Sequence, residues 1–191
     1  HYGCTFVYVL PINKRKALIE YTLFSEAMLD SKEYDNGLRS FIKDKLKIKN
    51  FSIAEVEQGM IPMTNNIFPT QHGKVFYIGT AGGQTKASTG YTFQFIQKQS
   101  AAIVDNLLHN RSSILPKVSK RFHFYDSVLL RILHEKKLSG ADIFYQLFTK
   151  NKAAVVLKFL DNESTWKEDL QLMHSVRSIF LKPALKELYS K

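Results

Sequence analysis

The sequence predicts an α+β protein with strands near its start and helices in the remainder. Two stretches rich in β-branched and aromatic residues, Thr5–Leu10 and Ala17–Phe24, flank a short connection that contains Pro11, a pattern typical of a β-hairpin. From Thr89 onward, apolar residues recur at helical spacing. We therefore expect an antiparallel β-sheet followed by an all-helical C-terminal region.

Between the hairpin and residue 89 the pattern is mixed. Apolar residues at helical spacing over residues 31–47 predict a helix that covers the sheet. Residues 51–57 alternate between apolar and polar and predict a third strand, residues 59–69 predict an irregular loop, and residues 75–78 predict a short buried strand.

The second half of the chain reads as a succession of helices. We expect them over residues 89–110, 124–136, 140–149, 152–160 and 166–176, and from there to Tyr189. Ser139 with Asp142, and Thr165 with Glu168, have the spacing of a helix-start capping box. Pro116, within residues 114–118, marks the predicted boundary between a first region, residues 1–115, and a helical region, residues 116–191.

Composition limits the classes of function. The 191 residues, 45% of them hydrophobic, suffice for one sizeable core, and the net charge of +10 favours contact with phosphate or anionic lipid. Nucleic acid is not an expected partner, because the basic residues are scattered and accompany no known DNA- or RNA-binding motif. The single cysteine excludes an internal disulfide and fits a cytoplasmic location, and the histidine spacing predicts no metal site.

The most informative segment is glycine-rich. The predicted strand Lys74–Ile78 leads into Gly79-Thr-Ala-Gly-Gly and then, past Ser88 and Thr89, into a long helix. Glycines let the backbone turn sharply and approach a ligand closely, and we expect Ser88 and Thr89 to cap the helix. Free amides at a helix start bind a phosphate or an electron-rich ring oxygen, although such turns also occur as plain structural joints.

Three further segments sharpen this interpretation. They are Phe6–Pro11, Ala17–Ser25 and Glu57-Gln-Gly-Met-Ile-Pro-Met-Thr64, which precede the glycine-rich segment in that order. Together with that segment, they resemble the flavin-dependent lycopene cyclases of carotenoid synthesis. The motifs cover roughly the first half of the chain, and the second half is similar only in its aromatic-rich helices.

The resemblance implies a two-domain FAD-dependent fold of the hydroxylase and reductase type. It also implies an isomerase that closes the acyclic ends of lycopene into β-ionone rings at a membrane surface. Ring closure needs a proton donor, stabilisation of a carbocation and a base, and it consumes no electrons overall. Reduced FAD, kept reduced by NADPH, would contribute negative charge or a proton.

The resemblance also implies roles for individual residues. Glu20 matches an acidic position of the family, with Tyr21 replacing a second acid, and burial of Glu20 in an apolar pocket would favour the protonated carboxyl that a donor needs. Glu57 would stabilise the cation or take the departing proton, with Glu55 a weaker candidate. The remaining implied residues contact the cofactor: Gly79, Thr80, Ala81, Gly82, Gly83, Thr89 and Gly90.

Two departures from the family pattern and one missing motif qualify these expectations. Thr80 stands where related flavoproteins have Asp, and Ala87 where many cyclases have Pro. The Gly-x-Gly-x-x-Gly turn for the adenosine diphosphate moiety does not occur in the sequence. We therefore expect a C-terminal portion of a cyclase that binds flavin poorly and is inactive alone.

Two alternatives remain open from the sequence. A flavin-dependent reductase or monooxygenase of the same fold would share the glycine-rich segment. A non-catalytic basic module that binds lipid or nucleic acid would explain the net charge without using Glu20 at all.

Overall fold

The computed structural model describes residues 4–111, 119–135 and 139–189. The chain divides into two compact units, residues 1–58 and residues 59–191, and each is described by itself. The predicted α+β class is confirmed, with antiparallel strands near the start and mostly helices after them. The boundary predicted at residues 114–118 lies outside the described residues and stays a prediction.

The first unit contains the predicted hairpin and the helix that covers it. Strand β1 (Cys4–Asn13) pairs antiparallel with β2 (Lys16–Phe24), and the register sets Tyr8 opposite Glu20. Helix α1 (Ser31–Asp44) begins with a capping box formed by Asp30 and Glu33. The hairpin and α1 therefore confirm the predictions for this part of the chain.

Helix α1 packs against one face of the hairpin at a glycine. A Cβ at Gly37 would lie 2.6 Å from Cε2 of Tyr21, so the absent side chain leaves room for that ring. The Tyr21 ring also meets Tyr34 edge to face, with centroids 6.0 Å apart. Because successive strand residues point to opposite faces, Glu20 lies on the face away from α1.

Two strand predictions are wrong. Residues 51–57 form no strand, because alternation of apolar and polar residues does not by itself supply a hydrogen-bonded partner strand. The predicted buried strand at residues 75–78 shortens to β4 (Val75–Phe76), which pairs with β3 (Gln71–His72). Val75 is 59% exposed, so β4 lies at the surface and does not form part of the core.

The second unit is built mainly from helices. They are α2 (Phe93–Leu108), α3 (Lys120–His134), α4 (Gly140–Lys150), α5 (Ala153–Leu160), α6 (Trp166–Ser175) and α7 (Arg177–Tyr189). The predicted helices of the C-terminal region are thus confirmed. In the part of the chain that the structure describes, none of the helices combines the length and the apolar composition of a transmembrane span.

The apolar core of this unit lies among helices α3 to α7. Its most buried side chains include Ile132, Ile143 and Leu172. A polar network closes one side of the core, where buried Asp169 accepts hydrogen bonds from Ser164 at 2.5 Å and from Tyr125 at 3.3 Å. These bonds hold the start of α6 against α3.

Candidate functional site

The glycine-rich segment folds as one turn of 3₁₀ helix, Gly79–Gly82, followed by a sharp reversal. Gly79 and Gly83 have φ values of +61° and +69°, a left-handed backbone conformation that residues other than glycine rarely adopt. The amides of Gly83 and Gln84 close the turn by donating to the carbonyls of Thr80 and Gly79. The sequence therefore fixes a tight turn here, as predicted.

The middle glycine serves a close approach of the chain to itself. A Cβ on Gly82 would lie 2.0 Å from the carbonyl oxygen of Tyr77, which is too close for two atoms that are not bonded to each other. On Gly83 it would lie 3.2 Å from Cβ of Phe68. Internal packing thus accounts for Gly82, and the ligand-binding role that the sequence implies for it stays a prediction.

A row of threonine hydroxyls connects the turn with the helix that follows. Thr80 and Thr85 are hydrogen-bonded at 3.2 Å, and Thr85 and Thr92 at 3.1 Å. The Thr92 hydroxyl donates in turn to the carbonyl of Gly90 at 2.9 Å. The turn and the start of α2 are therefore held together by side-chain contacts as well as by the backbone.

Helix α2 begins later than the sequence predicts. The prediction that Ser88 and Thr89 cap it is wrong, because the N-cap is Thr92 and the helix starts at Phe93. Thr92 makes no side-chain capping bond. The first amides of an α-helix have no partner within the helix, so the start of α2 offers donors to a ligand.

A shallow cavity of about 240 Å³ adjoins this uncapped helix start. Its lining residues are Tyr91, Thr92, Phe93, Gln94 and Asp161. The aromatic rings suit a flat ligand, and the carboxylate of Asp161 disfavours a phosphate in the same space. An uncharged ring oxygen is a better match than a phosphate for this end of the segment.

The residues between the turn and α2 close into a loop of their own. The Lys86 amide donates to the Tyr91 carbonyl at 2.8 Å, and the Gly90 amide donates to the Lys86 carbonyl at 2.9 Å. Gly90 has φ +74°, which such a closure requires. A Cβ at Gly90 would lie 4.0 Å from Cγ2 of Ile61, so the loop meets the Ile-Pro-Met stretch of the chain.

The sequence analysis missed the side chain that anchors this loop. Lys86 is 4% exposed, and its ammonium lies 2.8 Å from Oδ1 of Asp126 and 2.6 Å from Oδ1 of Asn162. Ser88 donates to the same Asp126 oxygen at 2.5 Å. Ser88, predicted as a helix cap, is thus hydrogen-bonded to the buried ion pair of Lys86 and Asp126, which joins the glycine-rich segment to α3.

One sequence signal could have revealed Lys86. It is the only charged residue between Lys74 and Lys98. A lone charge in such a stretch needs either solvent or a specific partner. The partners, however, lie far along the chain at Asp126 and Asn162, and the sequence gives no sign of that pairing.

A buried amide lies beneath the turn. Gln99, on α2, donates from Nε2 to the Tyr77 carbonyl at 3.0 Å, while its Oε1 has no hydrogen-bond partner among the described residues. The Tyr77 oxygen is the atom that excludes a side chain at Gly82. Gln99 therefore fixes the backbone that makes glycine necessary there.

The predicted acid Glu20 lies on the first unit. Its side chain is exposed and accepts a hydrogen bond from the Thr22 hydroxyl at 2.7 Å. The predicted acid role would favour a Glu20 side chain enclosed in an apolar pocket. Within this unit no such pocket encloses it. Phe24 shares its face of the hairpin and meets Phe6 edge to face at 5.1 Å, whereas Tyr21 points to α1.

The second predicted carboxylate, Glu57, and its alternative, Glu55, are both exposed in the irregular stretch before the Ile-Pro-Met segment. Neither residue belongs to a helix or strand. No strand pairing like that of Glu20 holds Glu55 or Glu57, and their roles stay predictions.

Comparison with known proteins decides the family. The family model described as "Lycopene cyclase protein" matches residues 1–186 of the chain. The chain belongs to the lycopene cyclase family. No curated protein and no solved structure matches it.

The match extends the resemblance beyond the sequence motifs of the first half. It includes helices α3 to α6 and most of α7 of this lycopene cyclase family member. The residues of the glycine-rich segment lie together in the second unit, from Gly79 through Gly90. Thr89 lies buried within the Lys86 loop, where its hydroxyl accepts from the Tyr91 amide at 3.3 Å, and is not at the helix start.

Hydrogen bonds restrain the chain at both positions, Thr80 and Ala87, where the sequence departs from the family pattern. The Thr80 hydroxyl, at the position where related flavoproteins have a carboxylate, begins the row of threonine hydroxyls. Ala87 lies in the loop that the Lys86 and Gly90 amides close, so backbone hydrogen bonds already restrain the position where many cyclases have proline. Neither departure removes the tight turn of this cyclase family member.

Proposed function

We propose that the protein is a lycopene cyclase that closes the acyclic ends of lycopene into β-ionone rings by acid–base chemistry with no net oxidation or reduction. Membership of the family supports a cyclase acting on a carotenoid. The finer assignment, to this substrate and to reduced FAD with NADPH as reductant, is our proposal.

The uncapped start of α2 beside the glycine turn carries this proposal. Free amides, the positive end of a helix dipole and a cavity lined by Tyr91 and Phe93 together suit one edge of a flat, electron-rich ring. The tight turn of Gly79–Gly83 and the loop at Thr89 and Gly90 would hold the remainder of the cofactor. When bound, reduced FAD would supply negative charge or a proton to the ring closure.

Two carboxylates of the chain would donate and accept the protons. Glu20 would donate a proton to a terminal double bond of the substrate, and a new carbon–carbon bond would then form as the cation closes the ring. Glu57 would take a different proton from the ring and leave a double bond, so that the numbers of atoms and electrons are unchanged. The π faces of Phe6 and Phe24, on the Glu20 side of the hairpin, support stabilisation of the cation.

A membrane surface is the proposed place of action, because a linear C40 hydrocarbon partitions into lipid and not into water. The net charge of +10 supports contact with anionic lipid. A cytoplasmic, peripheral location is part of the same proposal.

The test is pigment chromatography of lycopene-producing cells that express the complete gene. We expect β-ringed products from the unaltered protein and unchanged lycopene from Glu20→Gln or Glu57→Gln. Glu163→Gln, which alters an exposed carboxylate paired with Lys98, is the matched control and should leave the products unchanged. Western blotting establishes that each variant accumulates.

Three results would contradict the proposal. Unchanged lycopene in the presence of soluble, folded, unaltered protein would refute the activity. Consumption of one NADPH per product would indicate net reduction and favour the reductase alternative. Full activity of Glu20→Gln would remove the proposed acid.

A further inference from the structure

Two exposed apolar stripes run side by side on helices α6 and α7. On α6 the stripe contains Trp166 and Leu170, each 65% exposed, which are four residues apart and so lie on one side of the helix. On α7 it contains Leu181, Leu185 and Leu188, all exposed and spaced by four and three residues. Large apolar side chains thus occupy the outer side of both helices.

The two stripes meet at a common groove, because one residue of each stripe, Leu170 on α6 and Leu181 on α7, lines it. A cavity of about 270 Å³ lies between the helices, and its wall combines residues of α6 with residues of α7: Leu170, Met173, His174, Phe180, Leu181 and Ala184. The stripes are therefore parts of one surface, which we call the α6–α7 face. Contiguous exposed apolar surface of this kind marks a binding site for a protein or a membrane.

Positive charge borders both stripes in the same way. Lys167 precedes Leu170 by three residues, and Lys182 precedes Leu185 by three, so each lysine lies beside its stripe on the adjacent turn. Both lysines are exposed, and neither ammonium pairs with a carboxylate among the described residues. Two carboxylates follow Lys167 on α6: Glu168 pairs with Lys158 and caps the helix with Thr165, and Asp169 is buried and held by Ser164 and Arg121.

We propose that the α6–α7 face docks on an anionic lipid bilayer, with the leucines and Trp166 entering the headgroup boundary and Lys167 and Lys182 contacting lipid phosphates. Apolar side chains bordered by lysines, with a tryptophan among them, are the composition of interfacial helices. The charge match with anionic lipid distinguishes this partner from a second copy of the chain, which would bring lysines against lysines. The inference rests on the proposed function for its choice of a membrane, and it adds the surface that makes the contact.

Trp166 is the only tryptophan of the chain, so its fluorescence reports directly on this face. The full chain is titrated with carotenoid-free vesicles of phosphatidylcholine, with or without phosphatidylglycerol. We expect a blue shift of the emission with the anionic vesicles, and quenching when the lipid acyl chains are brominated. Emission that stays unshifted and unquenched in vesicle-bound protein would overturn the inference.

Substitutions separate the two kinds of contact. Lys167→Gln with Lys182→Gln should lower the vesicle partition coefficient about 30-fold, since each lysine near an anionic surface contributes about a fivefold factor. Leu181→Gln with Leu185→Gln should abolish quenching by the brominated lipids. Leu107→Gln with Leu108→Gln, a pair of exposed leucines on α2, and Lys74→Gln are the matched controls and should bind vesicles like the unaltered chain.

Two other outcomes would also overturn the inference. Equal losses of vesicle binding in the control variants would show that binding does not depend on the α6–α7 face. A change in sedimentation of the leucine variants with unchanged vesicle binding would assign the face to self-association. A chain that docks through this face but leaves lycopene unchanged would contradict only the proposed function, whereas an active cyclase whose Trp166 stays in water would contradict only this inference.

Discussion

At the scale of single residues, Lys86 connects the glycine-rich segment to α3 through a buried ion pair. Its ion pair with Asp126 has exposed fractions of 1% and 9%, and Ser88 and Asn162 complete the hydrogen bonding. Lys86→Met should lower the free energy of unfolding by about 3–5 kcal/mol, because it leaves the Asp126 carboxylate buried without its partner. Urea denaturation followed by circular dichroism measures this loss.

A second lysine in the same part of the chain provides the matched control. Lys98 pairs with Glu163 at 2.5 Å, but both side chains are about half exposed. Lys98→Met should therefore cost no more than about 1 kcal/mol. Equal losses in the free energy of unfolding for Lys86→Met and Lys98→Met would show that the buried pair does not anchor the segment. Combining Lys86→Met with Asp126→Leu should recover most of the stability lost in Lys86→Met, because the unpaired carboxylate is then removed as well.

Gly82 gives a second prediction at this scale. Gly82→Ala would place a Cβ against the Tyr77 carbonyl, and the backbone has to shift to accommodate it. We expect a loss of about 1–3 kcal/mol in the free energy of unfolding, typical of overpacking. Gly59→Ala, whose Cβ would meet no atom within 4 Å, is the control and should be neutral. Equal stability of the two variants in thermal denaturation would contradict the close approach.

At the scale of elements, the start of α6 couples stability to pH. Hydrogen bonds from the Thr165 amide, from Lys158 and from the Thr165 hydroxyl lower the pKa of Glu168 from 4.5 to about 2. A carboxyl with a lowered folded-state pKa stabilises the fold above its unfolded pKa, and the contribution disappears as the pH falls toward the folded value. The stability difference between the unaltered chain and Glu168→Gln should therefore shrink from pH 4.5 to about 2.

Urea unfolding of both proteins across that pH range measures the difference. A difference that stays constant down to the lowest pH would show that the Glu168 carboxylate contributes nothing to the cap. Glu168→Gln is a suitable comparison because glutamine keeps the capping-box geometry but cannot ionise.

The elements also show which sequence signals suffice. The cap at Thr165 and Glu168 was predictable because both partners lie within one turn of the same helix. Ser88 has the same chemistry, yet its hydroxyl bonds to Asp126, and α2 begins at Phe93. Local spacing reveals a possible cap, whereas a distant partner decides whether the hydroxyl is used for it.

The whole molecule extends this contrast between local and distant contacts. The hairpin and the helices of the C-terminal region were predictable from apolar periodicity, since neighbouring residues carry that signal. The strand predicted at residues 51–57 failed because a strand depends on pairing with another segment. Within the candidate site, the tight turn followed from its glycines, but the Lys86 anchor and the role of Tyr77 in excluding a side chain depend on the folded chain.

The division into two units leads to the last prediction, which concerns limited proteolysis. Residues 47–69 contain neither helix nor strand, and Glu55 and Glu57 are exposed within them. A protease that cleaves after glutamate should therefore cut there first, because an exposed backbone outside helices and strands enters a protease site without unfolding of the neighbouring elements. N-terminal sequencing of the larger product should start at Val56 or Gln58.

The helices should survive this cut. The core side chains lie in α3 to α7, all in residues 59–191, so the far-ultraviolet circular dichroism of the nicked chain should retain its helical signal. Glu55→Gln with Glu57→Gln removes both cleavage sites and should slow the first cut. First cleavage within α3 to α7, or loss of the helical signal as soon as the chain is nicked at Glu55 or Glu57, would show that the second unit does not hold its core independently of the first.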